Sequence, residues 1–335
     1  MSKVLLSVMT NRFDQLTTWL KDVLGHGDFA INPASEDASF RRYYRINFDS
    51  TSKIVMDAPP EHEDCSRFID ISSRLRSAGV NAPDVFEYDE QQGFVLLSDF
   101  GDVLYLDVLN DANADNLYED AMSALLNIQQ KTDQSGIPPY DETLLIQEME
   151  LFREWLLGKH LGINLDANQN SQLDRIYTLL IDNALQQPTV FVHRDYHSRN
   201  LMYCKKNNPG IIDFQDAVIG PITYDLVSLF KDCYIKWPRL KVNTWITGFY
   251  NRIHTDKYNE EKFLQWFDLM SVQRHLKTSG IFARLYYRDN KAGFLKDIPR
   301  SLSYIQDLEN EYPELEFLIN LIQTRVIPGL EREHS

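Results

Sequence analysis

Between residues 193 and 216 the chain reads HRDYHSRNLMYCKKNNPGIIDFQD. Two short strand-like runs, LMYC and GII, flank the turn-forming KNNPG, so the segment is expected to fold back on itself as a β-hairpin. That hairpin decides which polar groups meet. Asp195 opens the pattern H-R-D-x-x-x-x-N, Asn200 follows five residues on, and the return strand ends at Asp213. In this order Asp213 comes back towards Asn200, and an amide oxygen and a carboxylate can share one hard cation without a second full negative charge. Phosphoryl transfer asks little more of a protein: a carboxylate to orient and deprotonate an acceptor hydroxyl, and ligands for the Mg2+ that holds the phosphates in line. A single aspartate beside a strand is usually a turn or cap residue. The ordered set is what points to chemistry.

The surrounding pattern implies two lobes sharing a cleft, since 335 residues are many for one core. FDQLTTWLKDVL has helical spacing and stops at Gly25; FRRYYRINF and KIVM read as paired strands across DSTS; CSRFIDISSRLRSAG reads as a helix closed by Gly79; DVFEY and GFVLLS add two strands. This sheet-plus-helix unit is expected over residues 1–98, with a bend at LSDFGD, and a larger unit over 99–335. Helices are expected there over 112–132, 142–159, 168–187, 224–232, 241–253, 259–288 and 300–325, enclosing the hairpin.

Several function classes are disfavoured. A formal net charge of −15 argues against broad nucleic-acid binding, which depends on neutralising phosphates. Cys65, Cys204 and Cys233 lie far apart with no CxxC pair, so neither a disulfide framework nor a zinc site is expected. No apolar run is long enough to span a bilayer and the N-terminus lacks the features of a secretion signal, which gives a cytoplasmic expectation with no membrane and no obligatory protein partner. One window departs from the acidic trend: residues 274–300 hold seven Lys or Arg against two Asp.

The motifs HRDYHSRN and IDFQD resemble the kinase-like phosphotransferases of the aminoglycoside phosphotransferase and choline kinase group. With EDASFRRYYR, IVMDAPPE, IDFQDAVIGPITYDLVSL and RHLKTSGIFARL, the chain looks most like the anomeric amino-sugar kinases that phosphorylate N-acetylmuramate and N-acetylglucosamine at C1. The resemblance implies an α+β, bilobal protein-kinase-like fold: an N-lobe with an antiparallel sheet and helix, and a larger, mostly helical C-lobe. It implies ATP and Mg2+, a small-molecule acceptor and a place in cell-wall sugar recycling. Asp195 would be the base, and Asn200 and Asp213 the Mg2+ ligands. His193 would brace the loop, and Asp225 would cap a helix or fix the loop by hydrogen bonds. The DFG letters at 99–101 precede HRD, so Asp99 falls in the hinge and Asp213 is the metal-binding counterpart. Other readings are a kinase for another acceptor, such as choline, homoserine or an aminoglycoside, and an inactive nucleotide-binding module.

Two departures concern the nucleotide. There is no G-x-G-x-x-G loop, and Met56 stands where a phosphate-gripping lysine is expected. The turn SEDAS, with Ser35 and Ser39, can offer N–H groups and hydroxyls to phosphates instead. Arg42 or Arg45 is the candidate to replace the lysine, the alternative being a solvated arginine on an exposed strand. For the acceptor, the candidates are Arg199, Arg274 and Arg284, with Glu150 and Trp155 on the helix QEMELFREWLLGKHLG. A basic side chain in the 274–300 window would meet a carboxylate such as a lactyl group. The competing reading of that window is a solvated basic helix, and of Trp155 a core residue.

Overall fold

The computed structural model describes residues 3–36, 40–48, 51–253 and 255–333. The chain divides into two compact units, Met1–Val103 with Met202–Gln215, and Leu104–Leu201 with Asp216–Ser335. The segment 202–215 thus groups with the first unit, whereas the sequence boundary near residue 98 places the whole hairpin in the second.

In the first unit, helix α1 (Lys3–Leu24) precedes strands β1 (Ala30–Glu36), β2 (Arg42–Phe48) and β3 (Thr51–Asp57); helix α2 (Cys65–Ser77) precedes β4 (Val85–Asp89) and β5 (Phe94–Ser98). The sheet is antiparallel, in the order β1-β2-β3-β5-β4. Side chains alternate along a strand, so Ile46, Val55, Phe94 and Leu96 present one apolar face, and Leu16 and Leu20 of α1 cover it. Arg12 fixes the helix further, donating to the buried Asp57 carboxylate at 2.6 Å and to the Gln92 carbonyl. Strand β1 was not expected from the sequence. It contains Pro33 and a register shift between Pro33 and Ser35, tolerated because β1 is an edge strand.

The segment 202–215 is tied to this unit by the loop after α2. Asn81 donates to the Asn207 carbonyl at 2.8 Å and its own carbonyl accepts from Ile211 N; Phe214 packs on Phe68 with ring centroids 4.9 Å apart. Within the hairpin, Leu201–Met202 pairs with Gly210–Ile211.

The second unit is mostly helical: α3 (Tyr105–Val108), α4 (Ala114–Lys131), α5 (Glu142–Leu151), α6 (Ala167–Leu185), α7 (Tyr224–Phe230), α8 (Arg239–Ile253), α9 (Glu260–Asp289), α10 (Ile298–Gln306), α11 (Glu316–Leu321) and α12 (Ile327–Glu333). A wider π-helical turn, Phe152–His160, continues α5. The single helix expected over 300–325 is broken, because the chain turns after Gln306 and restarts at Pro313. Thr189–Val192 and Val218–Pro221 form a two-stranded sheet that brackets the loop 193–200 and the hairpin in sequence.

Helix α9 runs through the centre of this unit. It touches α5, α6, α7, α8 and α10, and its buried residues include Gln273, Arg274, His275, Lys277, Thr278 and Ser279 as well as apolar ones. The solvated basic helix considered from sequence is therefore overturned for its first half: Arg274 is 3% and Lys277 6% exposed. Gly280 marks the closest approach, since a Cβ there would lie 2.3 Å from the Leu151 carbonyl carbon, at the α5 to π-helix junction. Among the described residues, no helix is long and apolar enough to cross a membrane.

Candidate active site

The loop 193–200 is held by the side chains around it. Asp225, wholly buried at the start of α7, accepts from His193 N at 2.7 Å and Arg194 N at 3.0 Å. Asp232 does the same for Ser198 N and Tyr234 N, at 2.9 and 2.8 Å. Arg194 has a positive φ of 78°, a conformation that a non-glycine residue keeps only where its surroundings enforce it. The Asp225 bond and Ser228 Oγ on its carbonyl, at 3.3 Å, supply that enforcement. His193 is fully buried, with its ring edge-on to Tyr196 and Nδ1 3.3 Å from Asp195 N, which fits a bracing role.

Beneath the loop lies a charged network. The Arg194 guanidinium bonds Glu148, whose carboxylate also meets Lys277 Nζ at 2.9 Å; Lys277 donates to Tyr224 OH at 2.9 Å. Tyr140 and Gln273 bond the other Glu148 oxygen. Burial raises the pKa of Glu148, but the Lys277 and Arg194 charges outweigh it and hold the carboxyl below its usual range.

Asp195 projects from this platform with 42% of its side-chain surface exposed. Desolvation favours its neutral form, but Lys277, His197, Arg274 and Arg194 together overcome that and bring its pKa to about 2. Solvent screens part of this field, so what carries over to the chemistry is the direction: an ionised carboxylate at neutral pH. Arg274 Nη2 lies 3.9 Å from Asp195 Oδ1. Asn200 Nδ2 donates to the Asp195 carbonyl at 3.0 Å.

Asp213, in the first unit, has a φ of 65° and accepts from Gln215 Nε2 at 2.8 Å. Also in that unit, Arg45 is committed: its guanidinium bonds Asp99 at 2.6 and 3.0 Å, the Gly101 carbonyl at 3.1 Å and Asp102. Desolvation works against ionisation of Asp99, but bonds from Arg45, Ser52 and Gly101 N hold its pKa low. Arg42 stands opposite Asp57 across β2 and β3, where Arg12 already occupies the carboxylate. Met56, at the lysine position, is fully buried. The backbone of Ser35 lies in β1, paired with Tyr43; Ser39 and most of the SEDAS turn lie outside the described residues.

The acceptor candidates divide. Arg274 joins Asp195, whereas Glu150 pairs with Arg153, itself bonded to Asp174. Trp155 carries the Lys159 ammonium 4.3 Å above its ring, and Arg199 lies over Tyr234 at 4.7 Å and Phe294 at 5.8 Å. Arg284 is half-buried with its Nε unpartnered, and burial and the nearby Arg288 lower its pKa. Sequence reasoning missed Tyr140, Tyr224, Gln273 and Asp232. Asp232 carried no periodic signal, because α7 ends at Phe230 and Asp232 lies in the stretch beyond it.

Known proteins give this geometry a context. The chain is 44% identical over 326 residues to an N-acetylmuramate/N-acetylglucosamine kinase of Pseudomonas aeruginosa, covering 93% of this chain and 96% of the relative. An ADP-bound aminoglycoside phosphotransferase matches with a TM-score of 0.58 at 15% identity, over 87% of this chain and 97% of that one. A Plasmodium vivax ethanolamine kinase matches with a TM-score of 0.61 at 12% identity, over 90% and 88%. At such identities the two structures speak for the fold, the protein-kinase-like α+β arrangement expected from sequence. The family model for the phosphotransferase enzyme family matches residues 30–263, and the chain belongs to that family.

Proposed function

We propose that the protein transfers the γ-phosphoryl group of ATP to the anomeric hydroxyl of an amino sugar, N-acetylmuramate or N-acetylglucosamine, in cell-wall sugar recycling in the cytoplasm. The observation that carries this reading is the partly exposed Asp195 carboxylate on a loop fixed by Asp225, Asp232 and Asn200. The name of the 44% identical relative supports the choice of sugar.

In this reading the acceptor hydroxyl donates to an Asp195 oxygen, which takes its proton as the oxygen bonds to phosphorus. A hemiacetal hydroxyl is more acidic than an ordinary alcohol, so a carboxylate of low pKa suffices as base. Asn200 and Asp213 are the proposed Mg2+ ligands. Among the described residues no three His, Cys, Asp or Glu gather as a metal cage. Mg2+ needs only one or two protein groups together with substrate phosphates. When bound, Mg2+ neutralises phosphate charge in the transition state. Arg42 is the proposed phosphate-binding arginine, because Arg45 is engaged by Asp99 and Asp102. Ser35, Ser39 and the backbone at Asp99 remain proposed nucleotide contacts. Arg284, with an unpartnered Nε, is the proposed partner of the lactyl carboxylate, and Trp155, Glu150 and Arg199 are proposed rims of the acceptor site.

Phosphorus NMR of the products formed from Mg-ATP and a panel of sugars and amino alcohols tests the reading. A sugar 1-phosphate is expected. A phosphate on a primary hydroxyl would exclude the anomeric assignment, and tight ATP binding with no product from any acceptor would leave a nucleotide-binding module.

A further inference from the structure

Arg274 has the least satisfied buried charge in the loop's surroundings. It comes from the middle of α9, is 3% exposed, and its Nε and Nη1 have no hydrogen-bond partner. A guanidinium has five N–H donors in a rigid fork, and burying them without acceptors is unfavourable unless a ligand supplies the acceptors. Its ion pair with Asp195 is informative. Nη2 lies 3.9 Å from Asp195 Oδ1, beyond direct hydrogen-bond range. A single oxygen at about 2.8 Å from each atom fits in that interval.

We propose that this oxygen is the reacting hydroxyl oxygen of the acceptor, so that Arg274 is a second catalytic residue, donating to the same atom from which Asp195 removes the proton. The proposal rests on Asp195 acting as the base. In the step, the hydroxyl proton passes to Asp195 Oδ1, and the oxygen lone pair forms the bond to the γ-phosphorus. The bond from that phosphorus to the β,γ-bridging oxygen breaks, and its electron pair leaves with ADP. Arg274 keeps all its protons; its Nη2–H stabilises the negative charge that grows on the attacking oxygen.

The test uses the full-length enzyme with Arg274→Met and Arg274→Lys, assayed with whichever acceptor the parent phosphorylates. Arg274→Met is expected to lower kcat about 10²–10³-fold, the usual effect of losing one oxyanion donor, with KM for Mg-ATP within about twofold of the parent. Arg274→Lys, which keeps a charge but not the fork, is expected to recover about tenfold of that loss and to melt within a few degrees of the parent. If the Met variant does not fold, the Lys variant decides: its kcat should fall at least about tenfold at unchanged KM for Mg-ATP. Parental kcat in a folded variant, or a loss that appears only as weaker Mg-ATP binding, overturns the assignment of Arg274. A parent that phosphorylates no acceptor removes the proposed function and this inference together, whereas an active parent with unaffected variants removes this inference alone.

Discussion

Arg45 and Arg274 are both arginines beside an aspartate, one in each unit, and they differ in what their donors do. Arg45 is partly exposed, yet Asp99, Asp102 and the Gly101 carbonyl occupy its fork. Arg274 is almost wholly buried, yet two of its nitrogens have no partner. Exposure alone would have ranked them the other way as ligand-binding residues. A cation whose donors are filled by its own chain holds structure together, and one whose donors are left open in the interior awaits something from outside. Lys277, clasped by Glu148 and Tyr224, belongs with Arg45 in the first class, and Arg194 stands between the two, bonded to Glu148 but with its Nε unpartnered.

The comparison can be broken most sharply at Asp195, the carboxylate facing the open cation. Asp195→Asn is expected to lower kcat about 10²–10⁴-fold while nucleotide affinity stays near the parental value. Its stability should move by less than about 1 kcal/mol, as for other partly exposed positions. A variant with near-parental turnover would take Asp195 out of the chemistry, and a large loss of stability would put it among the structural carboxylates.

The opposite outcome is expected at Glu148. Glu148→Gln leaves Arg194 and Lys277 without their buried counter-charge, a change that lowers stability by about 3–5 kcal/mol when a buried pair is broken from one side. Denaturant unfolding measures it, and a shift below about 1 kcal/mol would mean that pairing does not separate the two classes.

Asp225 sharpens the contrast by pH, because it is a buried carboxylate held by backbone N–H groups. Burial raises its pKa to about 7 against the effect of the His193 and Arg194 amides. The folded chain therefore holds this proton more tightly than the unfolded one. The associated stability is complete below the unfolded carboxylate range, near about pH 4, and is lost as pH rises through about 7. Asp225→Asn should flatten that decline when unfolding midpoints are measured from about pH 4 to 8. Parallel curves for parent and variant would show that Asp225 titrates as an ordinary carboxylate.

The smallest effects are expected on the sheet. Arg42→Ala should weaken Mg-ATP binding about tenfold, the loss of one charge-assisted hydrogen bond. Arg45→Ala should leave affinity within about twofold and instead lower stability by about 1–3 kcal/mol by stranding Asp99. Titration calorimetry separates them, and reversed roles would make Arg45 the phosphate ligand.

The spacing that singles out Asp195, Asn200 and Asp213 lies within one short segment, and helical periodicity located most of the helices. What stayed hidden depends on residues far apart in the chain. The burial of Lys277 cannot be read from a basic run, because the partner that makes it tolerable, Glu148, lies on another helix. Strand β1 was obscured by Pro33, which reads as a breaker unless the strand is known to sit at an edge. The long helix expected over 300–325 failed at Asp307–Tyr312, where apolar spacing persists on both sides of a turn. Arg45 could be ranked against Arg42 only once Asp99 and Asp102 were seen to fill its fork.

The backbone contact at Gly280 has a consequence for substrate chemistry. Advancing α9 by one residue would carry every side chain about 1.5 Å along the axis and about 100° around it, swinging the guanidinium away from the carboxylate it faces. With no space for even a methyl group where α9 crosses the end of α5, such sliding or rolling is blocked. The absence of one carbon atom, six positions along the helix, thus acts as the stop that sets the aim of Arg274.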